Sequence, residues 1–274
     1  MVSNFHLPPI GFGPGSQPED DELSYLQLPS GMRSYSPHLP EVEDASALAP
    51  ALRLIAELAD AAEACAKGGV AAFDLTVLDA ANRALMAETL GQGEVAMKIR
   101  GIPALMVQES VFAGVWSVAG AGTDRVEIGA VPPAALSRAF EPYLAAAGIA
   151  HPRGGQVVNA PALAVELLDK SASYAGGEAH VVNLSLLPHT EEDLVWLDAV
   201  LGEGAVTILS RGYGNCRITA TAVPHVWRVQ FFNSMETLIL DTFEVTTMPE
   251  VALAAPEDLA DSAGRLREVL EAIR

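Results

Sequence analysis

The segment Leu201–Phe232, LGEGAVTILSRGYGNCRITATAVPHVWRVQFF, decides the fold because two of its landmarks occur earlier in the chain. LGEGAV, starting at Leu201, resembles LGQGEV, starting at Leu90, and HVWRV around Trp227 resembles GVWSV around Trp116. The two pairs of landmarks are separated by the same number of positions in sequence. A shared offset predicts a duplicated unit, with a period far longer than the roughly 20–50 residues of solenoid repeats.

The repeated unit combines helices and strands. A helix begins near Pro50, because apolar residues recur at i, i+4, i+7 and i+11 from Leu54, and Pro161 starts a matching helix at the same offset. Each half reads as helix, strand, helix, a small β-meander and a final helix. Because the strands cluster after the helices, we expect an α+β fold of two tandem related helix-strand-helix-meander units with approximate two-fold symmetry.

Composition sets the boundaries of these units. The first is predicted to span residues 47–150 and the second residues 156–274, with a linker at Gly148–Gly155 and a last helix starting at Pro256. Residues 1–46 form a separate Pro/Gly-rich N-terminal arm. Such a composition buries too little apolar surface to offset its ordering entropy, so the arm is either a flexible segment or a recognition element that orders on a partner.

Local patterns give four further expectations. Val70–Leu78 and Val181–Leu187 read as strands, and Pro132-Pro133 starts a helix that runs to about Ala147. Thr190, with Asp193 three residues later, is typical of a capping box at a helix N-terminus. These elements place the meander of each half between helices.

Composition also excludes several classes of partner. The formal charge is −19, from 35 acidic and 16 basic residues, and this surface repels nucleic acid and anionic lipid. No run of about 18 apolar residues is free of charges or Gly and Pro breaks, so no membrane insertion is expected. The N-terminus lacks a basic segment followed by an apolar one, which predicts a cytoplasmic protein without a secretory signal.

Metal and cofactor sites are not predicted. The two cysteines, Cys65 and Cys216, lie far apart in sequence, and the histidines lack paired ligand spacing. The glycines of Gly91-x-Gly93 and Gly202-x-Gly204 each follow a helix and precede a strand, the reverse of a phosphate-binding loop. We therefore expect helix C-terminal turns at these glycines.

The chemistry of Cys216 has two interpretations. A reactive thiolate needs a lowered pKa, which Arg211 and Arg217 provide if they point at the sulfur. Strand alternation instead places Cys216 with Ile218 on one face and Arg217 on the opposite face, which favours a small buried residue. A partner-facing or redox-sensitive thiol remains the alternative.

Aromatic residues mark the core and one surface. Trp116 and Trp227 occupy equivalent positions, and we expect both to be core anchors of their units. The adjacent Phe231 and Phe232 point to opposite faces of a strand, so one of them is expected at a surface that a partner can reach.

Long motifs of the chain resemble those of the HupH/HyaF/HoxQ family of hydrogenase expression proteins. The resemblance is strongest over Leu201–Leu240 and extends to PEVALAAPEDLADSAGRLREVLEAI at residues 249–273, to GEVAMKIRG and QESVFAGVW, and to GFGPGSQPEDDELSYLQLPSGMRSY in the arm. It therefore covers nearly the whole chain, and the duplicated unit is also a feature of that family.

The resemblance implies an accessory protein and not an enzyme. Members of such a family would act as maturation chaperones that bind the iron-sulfur small-subunit precursor of a membrane-bound uptake [NiFe] hydrogenase, protect it from oxygen in the cytoplasm, and release it for assembly and export. Other hydrogenase maturation factors are further possible partners. The family supplies no catalytic residues to carry over. The candidate partner-binding residues are the matched positions Arg211, Gly212, Tyr213, Gly214, Asn215, Cys216 and Arg217, together with Phe232 and, in the arm, Tyr25, Met32 and Tyr35.

Two alternatives stay open at this point. The first is a redox or iron-sulfur carrier protein that depends on Cys216. The second is a scaffold that bridges other maturation factors without touching the client.

Overall fold

The computed structural model describes residues 46–212 and 214–273. Over these residues the chain contains six α-helices and ten β-strands, which confirms a mixed helix and strand fold. In chain order they are α1 (Ala49–Cys65), β1 (Ala71–Asp74), α2 (Ala80–Leu90), β2 (Val95–Ile99), β3 (Leu105–Glu109), β4 (Val115–Gly120), β5 (Thr123–Ile128), α3 (Pro133–Ser137), α4 (Ala160–Ser173), β6 (His180–Asn183), α5 (Glu191–Leu201), β7 (Val206–Ser210), β8 (Asn215–Ala220), β9 (Val226–Phe232), β10 (Leu238–Val245) and α6 (Pro256–Ile273). Short 3-10 helices lie at Leu184–Leu186 and Glu250–Ala252.

All ten strands form one antiparallel sheet in the order β1-β5-β4-β3-β2-β7-β8-β9-β10-β6. The two halves of the sequence meet at the central pair, where β2 lies beside β7 and Met97 faces Ile208. The order outward from β2 is β3, β4, β5, β1, and from β7 it is β8, β9, β10, β6. One sheet therefore runs through both halves.

Strand alternation divides the apolar side chains between the two faces of the sheet. On the first face, inward residues of the six central strands pack with α3 and the Glu250–Ala252 turn, and this core contains both Trp116 and Trp227, each fully buried. Their expected role as core anchors agrees with this position. The second face carries helices at its two ends, α1, α2 and α6 over the first half and α4 and α5 over the second.

The helix α6 crosses from the second half of the sequence to the first. Its buried residues Leu259, Leu266 and Leu270 lie in one core with Ile55 and Leu58 of α1. The amphipathic pattern of this helix predicts a buried apolar face but does not identify the helix that covers it. The division of the sequence into units at residues 47–150 and 156–274 remains a prediction.

Residues 138–147 of the first half cross in the opposite direction. The helix predicted for this segment is wrong. α3 ends at Ser137, whereas the sequence predicts a helix to about Ala147. Pro142 prevents the helix from continuing to Ala147, because proline cannot donate the helical hydrogen bond and restricts the residue before it. The chain then bonds to the second half, through Tyr143 N to Glu203 O (2.8 Å) and Ala147 N to Ala199 O (2.9 Å).

Both expected strands before the second helix of each half are shorter than their apolar runs. β1 ends at Asp74, whose carboxylate accepts a hydrogen bond from Thr76 N at 2.8 Å. β6 ends at Asn183, whose side-chain oxygen accepts one from Ser185 N at 3.0 Å. Side chains of this type form turns with the backbone two residues on, which stops the strand.

The capping box at the start of α5 is confirmed. The Thr190 hydroxyl accepts a hydrogen bond from Asp193 N (2.9 Å), and the Asp193 carboxylate accepts one from Thr190 N (3.0 Å). Oδ1 of Asp193 also accepts bonds from the backbone of Val158, Asn159 and Ala160, within 3.0 Å. Burial alone would raise the pKa of this carboxyl, but the four backbone donors lower it to about 2.

Candidate functional site

Two turns lie side by side at one end of the sheet. The first, residues 211–214, joins β7 to β8, and the second, residues 233–237, joins β9 to β10. They are adjacent because Asn215, the first residue of β8, pairs with Phe232, the last residue of β9. The sequence motif marks the first turn as distinctive, and the register of β8 and β9 brings Phe232 to it.

A pocket of about 330 Å³ opens between these turns. Five of the predicted partner-binding residues line it: Arg211, Asn215, Cys216, Arg217 and Phe232. Leu209, Ser210 and Glu236 complete the lining. The fold therefore gathers most of the matched motif around one cavity.

The two glycines of the first turn give it its shape. Gly214 has a φ of +101°, in the region that side chains with a Cβ rarely adopt. A Cβ at Gly212 would meet the carboxylate of Glu94, and Arg211 N donates a hydrogen bond to Glu94 O at 3.1 Å. The turn is thereby held against the residue that precedes β2. The remaining motif residue, Tyr213, and the arm residues Tyr25, Met32 and Tyr35 lie outside the described residues.

Arg217 and Cys216 lie on opposite faces of β8, as alternation predicts. The Arg217 guanidinium lies 5.6 Å from the centre of the Phe232 ring, a cation-π contact on the exposed side of the strand. Cys216 is 3% exposed and faces the core of the sheet. Burial, and then the negative charge of Glu244, raise the pKa of its thiol to about 12. The neighbouring arginines therefore do not produce a thiolate, and the buried interpretation is the one that this geometry favours.

Exposed apolar side chains next to the pocket were missed by the sequence reasoning. Met235 is 83% exposed and Ile239 61%, and Leu238 between them is also exposed. The Asn233 side chain holds this turn by accepting hydrogen bonds from Met235 N and Thr237 N, at 2.9 and 3.0 Å. The sequence feature that could have predicted this exposed group is the segment METLIL, residues 235–240, which directly follows the turn-forming pair Asn233-Ser234. We call the pocket and these three side chains together the two-turn surface.

A larger cleft of about 620 Å³ lies on the helical side of the sheet, between α5 and the strands of the second half. Two of its arginines are already paired. Arg228 binds both carboxylate oxygens of Asp241 (3.0 and 2.7 Å) and the carboxylate of Asp198 (2.8 Å), and Arg100 contacts Glu203 at 3.1 Å. Because these arginines are paired with carboxylates of the protein, the cleft presents less positive charge to a ligand than its arginines suggest.

Within residues 46–212 and 214–273, no group of three or more His, Cys, Asp and Glu side chains is arranged to hold a metal ion. In the same residues, none of the helices combines the length and the apolarity that crossing a bilayer requires.

Comparison with known proteins decides the family. The model of the HupH hydrogenase expression protein, C-terminal conserved region, matches residues 48–142 and 157–273. The chain belongs to the HupH family of hydrogenase expression/formation proteins. It is 77% identical to the hydrogenase expression/formation protein HupH of Rhodobacter capsulatus, over the full length of both chains. The resemblance given by the sequence motifs is thereby confirmed.

More distant members of the HupH family also match over nearly their full length. The chain is 46% identical to HoxQ of Cupriavidus necator, over 98% of both chains. It is 33% identical to the hydrogenase-1 operon protein HyaF of Escherichia coli, over 97% of this chain and 95% of that one. A solved structure, the hydrogenase expression protein HupH from Thiobacillus denitrificans, shares 32% identity over 40% of this chain and 92% of its own, with a TM-score of 0.38.

Proposed function

We propose that the chain is a non-catalytic maturation factor that binds the iron-sulfur small-subunit precursor of an uptake [NiFe] hydrogenase in the cytoplasm. In this role it keeps the precursor from oxygen until assembly and export. Membership of the HupH family supports the hydrogenase part of the proposal. The observation that carries the binding role is the two-turn surface, where exposed apolar side chains lie next to a pocket lined by residues of the matched motif.

The chemistry of this surface fits a protein partner. Met235 and Ile239 expose apolar area, and methionine adapts to irregular partner surfaces. Arg217 and Phe232 add an arginine and an aromatic ring, the residue types enriched where binding energy concentrates. We propose that a segment of the precursor fills the pocket, while Met235, Leu238 and Ile239 cover the adjacent surface of the precursor.

We also propose that the arm contributes a second contact through Tyr25, Met32 and Tyr35. A segment that orders on binding gives up part of its binding energy to ordering, so the complex is released more easily than a rigid one. This property suits a factor that must hand its client on.

A further proposal concerns the two halves. The outward strand order is the same from β2 and from β7, and Met97 pairs with Ile208, the residue that lies at the same offset as the repeated motifs. These observations support two tandem units related by an approximate two-fold axis through that pair. Glu127 and Glu244 then occupy equivalent places, because each faces the tryptophan of its own half.

Co-purification tests the client. The tagged full-length chain is expressed with the hydrogenase small-subunit precursor of the same organism, and retention of the precursor is measured. We expect the wild type to retain the precursor. The double variant Met235→Glu/Ile239→Glu should retain at least about tenfold less, because docking would bury two unpaired charges. Val77→Glu/Val195→Glu, which changes two other exposed apolar residues, is the matched control.

Each other outcome has a definite meaning. If the wild type retains no precursor, the client is wrong, and retention of other maturation factors instead supports the scaffold alternative. If both double variants retain the precursor equally, binding does not use the two-turn surface. The full-length variant Tyr25→Ala/Met32→Ala/Tyr35→Ala separates the arm from the folded part, because it leaves the two-turn surface unchanged.

A further inference from the structure

A groove of about 770 Å³, separate from the pocket and the cleft described above, lies in the second half of the chain beside the outer strand β6. Its floor is the sheet face beside β6, with Val181, Phe231 and Glu244, and its wall is the turn that contains Glu250 and Leu253. None of its lining residues also lines the pocket of the two-turn surface. We call this cavity the β6 groove.

The groove runs beside an outer strand. β6 is the last strand in the order and pairs only with β10 among residues 46–212 and 214–273. Its outer N–H and C=O groups therefore have no strand partner in the described part of the chain. Val181, which lines the groove from this strand, is 52% exposed. An outer strand beside an open groove is the arrangement that receives an extended peptide as an added strand.

The first half shows what the equivalent carboxylate binds. Glu127 faces Trp116, and its carboxylate contacts the guanidinium of Arg125 at 2.6 Å from Nε. In the second half, Glu244 faces Trp227 in the same way. The residue two positions before it is Thr242, whose hydroxyl lies 3.3 Å from Glu244 Oε1. The second half therefore keeps the carboxylate and lacks the arginine.

Glu244 has no cation of its own in the described part of the chain, where no Lys or Arg forms an ion pair with it. Burial first, and then the negative charge of Glu250, raise its pKa, while the Thr242 hydrogen bond opposes the shift. A second carboxylate, Glu178, lines the same groove. Three carboxylates, those of Glu178, Glu244 and Glu250, thus line one cavity, and a cationic group would complement their charge.

We propose that the β6 groove binds an extended, basic segment of a partner protein. The segment adds to the outer edge of β6, sets apolar side chains against Val181 and Leu253, and places a Lys or Arg against Glu244, where Arg125 lies in the first half. A second copy of this chain is disfavoured as occupant because its charge is −19. Residues 1–45 of the chain are disfavoured because they carry seven acidic residues and one arginine, Arg33.

Synthetic peptides test this without the hydrogenase client, so the outcome does not depend on the proposed function. The probe is a fluorescent ten-residue peptide with valine and lysine in turn at its odd positions and threonine at its even positions, so that one strand face carries both residue types. Its binding to the full-length protein is measured by anisotropy. We expect saturable binding at about physiological ionic strength, and none for the same peptide with glutamate in place of lysine.

Backbone methylation tests strand addition. Two forms of the peptide are made, with methyl groups on the odd or on the even backbone nitrogens. Successive N–H groups of a strand point to opposite edges, so we expect one form to lose binding and the other to keep it. Equal binding by both forms would overturn docking along β6.

Variants of the protein test the carboxylate. Glu244→Gln keeps the shape and removes the charge, and we expect affinity for the lysine peptide to fall about tenfold. Glu271→Gln removes one charge from an exposed position on α6 and is the matched control, with unchanged affinity expected. Thr242→Arg supplies the arginine of the first half and should also block the peptide, provided that its circular dichroism spectrum shows a folded protein.

Two further results would overturn the proposal. One is equal affinity of the wild type and Glu244→Gln for the lysine peptide, which would mean that the groove does not recognise the cation. The other is a gain in affinity on Arg33→Ala, which would mean that the arm of the chain itself occupies the groove.

Discussion

Met97 and Ile208 face each other across the central β2–β7 pair, and both are buried in the core that contains Trp116 and Trp227. This pair joins the two halves of the chain through backbone hydrogen bonds as well as side-chain packing. The halves therefore share a core, and their stabilities are coupled.

We expect Ile208→Ala to destabilise both halves together, by about 3 kcal/mol, because it leaves a cavity at a fully buried position. Calorimetry should show one transition at lower temperature for the variant. Val195→Ala, at an exposed position of α5, should leave the transition nearly unchanged. Two separate transitions in the variant would contradict a shared core.

The Asp193 carboxylate predicts a pH dependence of stability. Its pKa is lowered to about 2 in the folded state, whereas the pKa of an Asp in an unfolded chain is about 4. The stabilisation is therefore complete above about pH 4 and is lost as the pH falls toward about 2. Asp193→Asn should flatten this part of the stability curve, measured by urea unfolding at several pH values. Asp193→Ala should cost about 3 kcal/mol at neutral pH, because it also removes the acceptor.

An equivalent site supports the milder effect of the asparagine variant. In the first half, Asn82 Oδ1 accepts a hydrogen bond from Ala51 N at 2.9 Å, tying α2 to α1 as Asp193 ties α5 to α4. If Asp193→Asn were as destabilising as Asp193→Ala, the charge and not the acceptor would be decisive.

The buried ion pair of Arg228 predicts a non-additive pair of substitutions. Asp241→Leu leaves the Arg228 guanidinium with only the exposed Asp198, and we expect a loss of about 3 kcal/mol. The double variant Asp241→Leu/Arg228→Met should recover part of this loss, since it no longer buries an unpaired charge. Chemical denaturation of the wild type, both single variants and the double variant measures the coupling. Arg267→Ala, in an exposed ion pair with Asp60 and Glu63, should hardly change Tm.

Thiol labelling tests the state of Cys216. Its pKa is raised to about 12 by burial, so the thiol should react slowly at neutral pH and rapidly only after unfolding. Labelling is followed in the Cys65→Ala background, so that a single thiol is observed. Fast reaction in the folded protein would restore the redox alternative.

Local patterns predicted much of the secondary structure. The spacing of Thr190 and Asp193 predicted the start of α5. Alternation along β8 placed Cys216 and Arg217 on their correct faces. These features depend on short-range geometry, which the sequence contains directly.

Other features depend on partners distant in sequence. The apolar face of α6 was evident, but its packing on α1 was not, because periodicity does not identify the surface that covers a helix. The contact between Arg217 and Phe232 follows from the register of β8 and β9. Of the residues that form the two-turn surface, Met235, Leu238 and Ile239 were missed, because their exposure depends on the shape of the second turn.

The packing of α6 on α1 has a consequence for synthesis of the protein. The apolar face of α1 has its cover only when residues 256–273 have left the ribosome, after all ten strands have been translated. During that interval the core of α1, which also includes Leu85, Met86 and Phe112, lacks the side chains of α6. Premature termination before Pro256 would therefore leave this core without the side chains of α6.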